Sequence, residues 1–491
     1  MHNHKDTTMI QLNRTLIDKP TLPIKVLQFG DGNFLRGFAD YVIDLLNEKG
    51  FNGGVAVVKN RPGGSVSDLQ NQEGLFTLFT EGIKNGNPVR TNRVVSSIIS
   101  IVNPYEDYNA YLALAEEAEL KIILSNTTEA GIVFNDKDAD YNNHPHYSFP
   151  AKLTALLYRR FAYFNGDVEK GCVILPCELI ENNADALKNI VLQYATLWQL
   201  GADFVAWINN SNRFYNTLVD RIVSGYPKDN AEQYTSVLPY KDALITVCEP
   251  YLFWAIEGDE ELLKHFPVNE IDENILLVPQ LAPYRLRKVR ILNGLHTLLA
   301  QVARLLGKTT VRESMEDGFC ESFLLATLEE EILPTIPLPY GECKAYSAEV
   351  LDRFRNPYLN HRLTDIALNS VSKFRARLLP VMDDYYRTKG TLPTHLVYTF
   401  ACLCYIYKVL PGFDEELVLN EFNVAVQMPD TEEAVAHILN NLELHTDNIP
   451  NDLFIHNVAN ALQCLEEHGV TEGFTAVSYT HLRAHETDSY L

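Results

Sequence analysis

Three side chains able to handle a carbonyl oxygen and its proton stand close together in "RKVRILNGLHTLLA", Arg287 to Ala300. They are the amine of Lys288, the amide of Asn293 and the imidazole of His296. On a helix each residue turns about 100°, so with Lys288 at zero His296 falls at about 80° and Asn293 at about 140°. One arc then carries a proton donor, an NH2 group able to steady negative charge on oxygen, and a ring able to orient a polar ligand. The same pattern also describes a helix edge with a snorkelling lysine and two locally satisfied polar residues.

A second pattern bears on a dinucleotide. "FGDGNFLRGF" holds Gly30, Gly32 and Gly37 directly after a β-rich run. Such a site needs glycine where strand turns sharply into helix and where backbone approaches a pyrophosphate seated on the helix N-terminus. Gly30-x-Gly32 suits both needs, although Leu35 occupies the usual place of the third glycine; a simple turn is the other reading. Phe29, Asn33 and Phe34 belong to the same turn. The second strand ends "VVKNRPGG", with Lys59 and Arg61 where an acid would hold a ribose 2′-hydroxyl. NAD is the expected cofactor, and the absent acid leaves NADP possible. "SNTTEAGI" follows a later strand at the carboxyl edge, where ligands of such sheets bind. Ser125, Thr127 and Glu129 could line the nicotinamide ribose, or form a helix N-cap with Glu129 in the first turn.

These residues need elements to hold them. Ile24 to Phe29, the helix-like Phe38–Leu46 pattern and "GGVAVVK" make a βαβ unit. Further strands are expected in "LKIILS", "GCVILPCELI" and "ADFVAWINN", with helices in "SFPAKLTALLYRRFAYF" and "ADALKNIVLQYATLWQL". This alternation argues for an α/β fold, a Rossmann-type doubly wound parallel sheet. After about residue 280 the text is helix-periodic, for example "GFCESFLLATLEEEILPTI", "LTDIALNSVSKFRARLLPVMDDYY" and "PTHLVYTFACLCYIYKVL". The expected domains are 1–280, dinucleotide-binding; 281–476, mostly α-helical and substrate-binding; and 477–491, a non-native tail. "VSYTHLRAHET" in that tail resembles a translated sequencing-library adapter.

The 491 residues exceed one ordinary core. A net charge of −23 argues against nucleic acid and anionic membrane surfaces as main partners. No apolar run is long enough for a membrane span, and the N-terminus has no apolar signal region. The eight cysteines form no CxxC pair and no zinc spacing, which suggests reduced thiols in a cytoplasm.

Read together, "QFGDGNFLRGF", "LSNTTEAGI", "ILPCELIENNADAL", "NTLVDRIVSGYP", "RKVRILNGLHT" and "RFRNPYLNHRL" resemble the mannitol dehydrogenase family of long-chain polyol dehydrogenases, over about residues 24 to 440. "PCELIENN", "VDRIVSGYP", "RKVRILNG" and "IALNSVSKFR" are similar to a branch of it that acts on sugar acids. The resemblance implies a Rossmann-type domain, a helical domain, a site between them and no metal. It implies Lys288 as general acid/base, Asn183 with Asn293 holding the reacting oxygen, and His296 positioning the substrate. Hydride delivery to a ketone builds charge on oxygen, which two amide NH2 groups can stabilise. A lysine can then give the proton if burial and a nearby cationic ring lower its pKa.

The resemblance further implies NAD(P)-dependent, reversible reduction of tagaturonate to altronate in hexuronate breakdown. Fructuronate and mannitol-type polyols are the alternatives within the family. A non-catalytic nucleotide-binding protein and a metal-dependent sugar enzyme are the rivals outside it. Two departures stand out. Asp365 occupies the place of a family arginine two turns before Lys373, so the substrate carboxylate is left to Lys373 or Arg375, the latter equally a solvated basic face. Ala184 replaces a glycine after Asn183. Asp220 and Arg221 either brace the site, with Asp220 near substrate, or form an ion pair between domains. The oligomeric state is open: monomer or small homo-oligomer.

Overall fold

The computed structural model describes residues 9–17, 21–128 and 130–488, without the side chains of 479–488. The chain forms two compact units. One comprises Met1–Glu81 and Pro88–Leu281, the other Gly82–Asn87 and Ala282–Leu491.

The first unit is built on six strands: β1 (Ile24–Phe29), β2 (Gly54–Val58), β3 (Ile98–Val102), β4 (Ile122–Ser125), β5 (Val173–Pro176) and β6 (Arg213–Phe214). All pair in parallel, in the order β3-β2-β1-β4-β5-β6. That is the dinucleotide-binding order, whose winding reverses between β1 and β4. Register places Val102, Val58, Phe29, Ser125 and Pro176 in one row at the carboxyl ends.

The sheet is apolar on both faces because successive side chains alternate between two cores. Val26, Val57, Ile122, Leu124 and Leu175 enter one core; Leu27, Ala56, Val58, Ile123 and Ile174 enter the other. The first is closed by a continuous helix running through Asn33–Leu35, a π turn at Arg36–Asp40 and Tyr41–Glu48. The second is closed by helices Phe149–Tyr163 and Asn183–Leu197. The expected α/β doubly wound sheet is therefore present.

One expected strand is not a strand. "ADFVAWINN" lies in helix Ala202–Ser211, with Phe204, Trp207 and Ile208 buried. Those residues recur at i, i+3 and i+4, the helical period, and Gly201 precedes them as N-cap. The sixth strand follows as Arg213–Phe214. Two smaller sheets complete the region. One contains the neighbouring strands Phe76–Lys84 and Asn87–Val95, joined through Asn85 and Gly86 at φ 53° and 72°. Asn-Gly with both φ positive is a two-residue hairpin signal.

The second unit is helical, as expected. Helix Gly294–Leu305 buries Leu295, Leu298, Leu299 and Val302, and helix Thr394–Val409 is buried along most of its length. "LTDIALNSVSKFRARLLPVMDDYY" is three helices, Leu363–Ile366, Ser370–Arg377 and Leu379–Lys389. Asn369, at φ 54°, breaks the first from the second. The last helix spans Asn451–Asp488 and bends at Gly469. Its backbone passes through Val477, which is 1% exposed, without interruption at the expected start of the tail.

Candidate active site

In the first unit, Gly30 turns at φ +121°, and a Cβ there would lie 3.1 Å from Asn126 O. Gly32 is the N-cap of the following helix, with open space where a Cβ would point. Gly37 performs the close-packing task of a third glycine, since a Cβ on it would meet Val223 at 2.8 Å. The missing glycine at Leu35 is thus supplied two residues later. Arg36, buried, donates to Asp31 O at 2.7 Å, to Thr246 Oγ1 at 3.2 Å and to Asn33 Oδ1. Arg221 donates to Gly37 O at 2.6 Å and to Glu249 O at 2.9 Å, so it braces this same helix. Asp220 ends strand Thr217–Asp220, opposite Phe253. Phe34 stacks on Phe38 at 4.9 Å.

Several expected cofactor contacts are turned to other tasks. The Phe29 side chain is fully buried against Phe149 and Tyr111, so only its backbone reaches the sheet edge. Lys59, also buried, donates to Gly63 O at 2.7 Å and Gly64 O at 3.0 Å and so closes its own loop. The hydroxyls of Ser125 and Thr127 donate to Glu178 at 2.9 and 2.8 Å, and Thr127 N adds a bond of 2.9 Å. They shape the edge after β4 through a buried acid instead of offering hydroxyls to a ribose. Burial pushes the Glu178 carboxyl up, against the pull of those donors. Glu129 lies outside the described residues.

The largest correction concerns Asn183. Its amide NH2 donates to Pro176 O, Glu178 O and Thr217 O at 2.9, 3.1 and 3.2 Å. Its carbonyl accepts from Ala184 N and Thr217 N at 2.9 and 3.0 Å. An amide engaged on both sides and 1% exposed staples β5 to its neighbours and has no NH left for a substrate oxygen.

Beyond the ends of β2 and β4 lies a cavity of about 610 Å³, lined among others by Arg61, Gly63, Thr127, Thr128 and Tyr147. Its wall is held by Lys152, a fully buried residue that sequence reading did not single out. Lys152 Nζ donates to Tyr147 O at 2.8 Å and Asn60 O at 3.2 Å, and burial draws its pKa down to about 8. Its signal was a lone lysine on the apolar face of "SFPAKLTALL".

In the second unit, the helix carrying Lys288, Asn293 and His296 is not uniform. Ala282–Lys288 and Gly294–Leu305 are α-helical, but Val289–Asn293 is a π turn. A π turn holds one extra residue, so residues five apart align roughly as residues four apart do in an α-helix. Asn293 then sits about 40° from Lys288 instead of about 140°, and His296 about 20° to the other side. The arc narrows to about 60°. The flanking arginines are committed elsewhere: Arg287 pairs with Glu342 at 2.8 Å, and Arg290 pairs with Asp384 and donates to Thr335 O at 2.6 Å.

His296 packs on Phe354 at 4.3 Å and edge-on to His361 at 4.7 Å. Burial, reinforced by His361, Arg353 and Arg377, drives its pKa well below the ordinary value. The ring is therefore neutral, which corrects the expected cationic ring: it is a hydrogen-bonding group and adds no positive charge beside Lys288.

On helix Ser370–Arg377, Lys373 and Arg375 lie about 200° apart and cannot share one ligand, whereas Lys373 and Arg377 are about 40° apart. Lys373 Nζ donates to Ile366 O at 2.7 Å. Arg375 donates to Leu442 O and lies 4.0 Å from Glu443, on the opposite side, which removes it as a carboxylate contact. Arg377 was not singled out from the sequence, although its i, i+4 spacing from Lys373 was the available signal. Among the described residues, no group of three or more His, Cys, Asp or Glu side chains is placed to hold a metal ion, and no helix is long and apolar enough to cross a membrane. All eight cysteines are free thiols.

Comparisons with known proteins follow the same division. The family model of the mannitol dehydrogenase Rossmann domain matches residues 24–268, and that of the mannitol dehydrogenase C-terminal domain matches residues 280–466. The chain is 46% identical over 401 residues to an altronate oxidoreductase of Bacillus subtilis (strain 168), covering 81% of this chain and 83% of that protein. It is 42% identical over 402 residues to an altronate oxidoreductase of Yersinia pestis, covering 82% and 83%. Among solved structures, a substrate-free D-sorbitol dehydrogenase superposes with a TM-score of 0.78 at 18% identity, over 95% of this chain and 100% of that one. Pseudomonas fluorescens mannitol 2-dehydrogenase, in a ternary complex with NAD and D-mannitol, gives 0.63 at 21%, over 96% and 97%. These two likenesses concern the fold. With both domain models matched in order along the sequence, the chain belongs to the mannitol dehydrogenase family of oxidoreductases acting on CH–OH groups.

Proposed function

We propose that the protein reduces tagaturonate to altronate, reversibly, with a nicotinamide dinucleotide as hydride carrier. The observation that carries the mechanism is the π turn, which gathers Lys288, Asn293 and His296 onto one narrow helix face. The names of the relatives support the substrate. The Gly30–Gly32 turn, the close approach at Gly37 and the helix start at Asn33 suit a pyrophosphate, and the cavity beside Arg61 suits the adenosine end.

The bound nicotinamide supplies or accepts the hydride. The chain's own groups handle the oxygen and the proton. The Asn293 NH2 donates to the carbonyl oxygen and holds it more tightly as charge develops there. Lys288 Nζ gives its proton to the alkoxide and is reprotonated from solvent; in the oxidation direction the neutral amine takes the hydroxyl proton. Neutral His296, fixed by Phe354 and His361, orients a substrate hydroxyl.

The test is reduction of tagaturonate, beside fructuronate and fructose, with NADH and NADPH in parallel. Lys288→Ala should abolish turnover while cofactor affinity stays nearly unchanged. Asn293→Ala should lower kcat/KM by an amount worth about 2–4 kcal/mol of transition-state stabilisation. No turnover of tagaturonate with either reduced cofactor sinks the reading, as does normal turnover in the Lys288 variant.

A further inference from the structure

The charge around His296 has a use that the acid–base chemistry leaves unexplained. Within the helical unit, Arg353 and Arg377 act on His296, Arg353 and Lys373 act on His361, and Arg377 acts on Lys373. Three cations thus gather about two imidazoles that burial and this charge push down in pKa. Two acids act on the same groups: Asp365 on His361, and Asp414 on Lys373. Asp414 is already occupied, accepting from Ser370 N at 2.9 Å, Val371 N at 3.1 Å and the Tyr407 hydroxyl.

Arg377 is half-buried, and burial lowers its pKa. Among the described residues its guanidinium bonds one group, Thr297 Oγ1 at 3.1 Å, on the residue that follows His296. A guanidinium carries five N–H donors in a planar fork that matches the two oxygens of a carboxylate. Cations drawn partly out of water and pressed against like charge are stabilised by a bound anion. Here that anion would lie beside the ring that faces the substrate.

We propose that Arg377, with Lys373 one turn before it, reads the substrate carboxylate and so makes this site select a keto sugar acid over a neutral ketose. The assignment rests on the functional reading above and adds the residue that sets its specificity. Lys373 contributes charge, while the planar fork of Arg377 contributes direction.

The experiment compares wild type, Arg377→Gln and Arg377→Lys on tagaturonate, together with calorimetric binding of galacturonate, a carboxylate that cannot turn over as a ketone. Arg377→Gln should raise the KM for tagaturonate about 100-fold, the scale expected for removing one side of a charge-assisted pair. Its kcat should stay within a few-fold and its cofactor KM should not move. Galacturonate binding should weaken by a similar factor, and Arg377→Lys should recover part of both. Thermal melting within a few degrees of wild type shows that each variant is folded, and Arg377→Lys carries the test if Arg377→Gln is not. An unchanged KM and unchanged galacturonate binding overturn the assignment, as does a fall in kcat at constant KM. A wild-type enzyme inactive on every ketohexuronate overturns the functional reading and the assignment with it; activity on tagaturonate with an indifferent Arg377 variant overturns the assignment alone.

Discussion

Asp40 offers a measurable test of the cofactor turn. It ends the π turn that follows Gly30 and Gly32, is fully buried, and receives a hydrogen bond from Gln28 Nε2 at 3.2 Å. The same Gln28 Nε2 donates to Gly30 O at 3.1 Å, so Gln28 ties the acid to the glycine turn. Burial pushes the Asp40 carboxyl from its ordinary value of 3.8 up to about 7, against the opposing pull of the Gln28 bond and Arg36. A folded-state pKa above the unfolded one means that the native protein keeps a proton the unfolded chain has lost. Stability therefore falls as pH rises from about 4 to about 7 and levels off above that. The full penalty is at most about 4 kcal/mol at pH 8, of which a little over a third is present at pH 5.

Asp40→Asn has the same shape and does not titrate. Relative to wild type it should gain about 2 kcal/mol more at pH 8 than at pH 5, once partial relaxation is allowed for. At about 2–4 °C per kcal/mol for a domain of this size, scanning calorimetry should show the variant-minus-wild-type Tm difference growing by about 4–8 °C between those pH values. A difference independent of pH, or one that shrinks at pH 8, refutes the reasoning.

Two further substitutions probe the same sheet edge. Gly30→Ala must hold φ near +121° and press a methyl group against Asn126 O; it should cost about 1–3 kcal/mol in thermal or denaturant unfolding and raise the cofactor KM at least about tenfold. Asn183→Ala removes a buried amide bonded on both sides, which should destabilise the protein by about 2–4 kcal/mol while leaving kcat within a few-fold. An unchanged Tm with a large loss of kcat would return Asn183 to the oxyanion role.

The sheet was legible because its strands are short, β-rich and bounded by turn residues. β1, β2, β4 and β5 fall where their apolar runs stand. "ADFVAWINN" misled because a short apolar run does not reveal its period unless Phe204, Trp207 and Ile208 are counted as i, i+3 and i+4. The Asn85-Gly86 hairpin carried an explicit signal and was passed over. At the site, residue types were readable but directions were not. Ser125 and Thr127 belong to the cofactor edge by position, yet only the fold brings Glu178 beneath them to take their hydroxyls. Lys59 and Asn183 likewise meet partners that no local spacing announces. Arg375 and Arg377 differ by half a turn, which decides which of them can join Lys373, and that followed from helical geometry alone.

The π turn at Val289–Asn293 makes the winding of the backbone itself a determinant of which side chains share a face. Like a dislocation in a crystal, it takes up one surplus residue locally and leaves the helix beyond it in phase with the helix before. Relaxing the segment into an ordinary α-helix with every residue kept would rotate Asn293 and His296 about 100° away from Lys288, whereas deleting one residue would let an α-helix keep them on the same face. In the relaxed helix every side chain would still be present and the apolar content unaltered. Gly294, where a Cβ would stand 3.3 Å from Leu378, closes the offset at a point of tight packing and limits how far it can migrate down the helix. The face shared by Lys288, Asn293 and His296 therefore depends on how the helix is wound as much as on residue identity, and a chain carrying the same three residues at spacings of four and seven would reach it without a π turn.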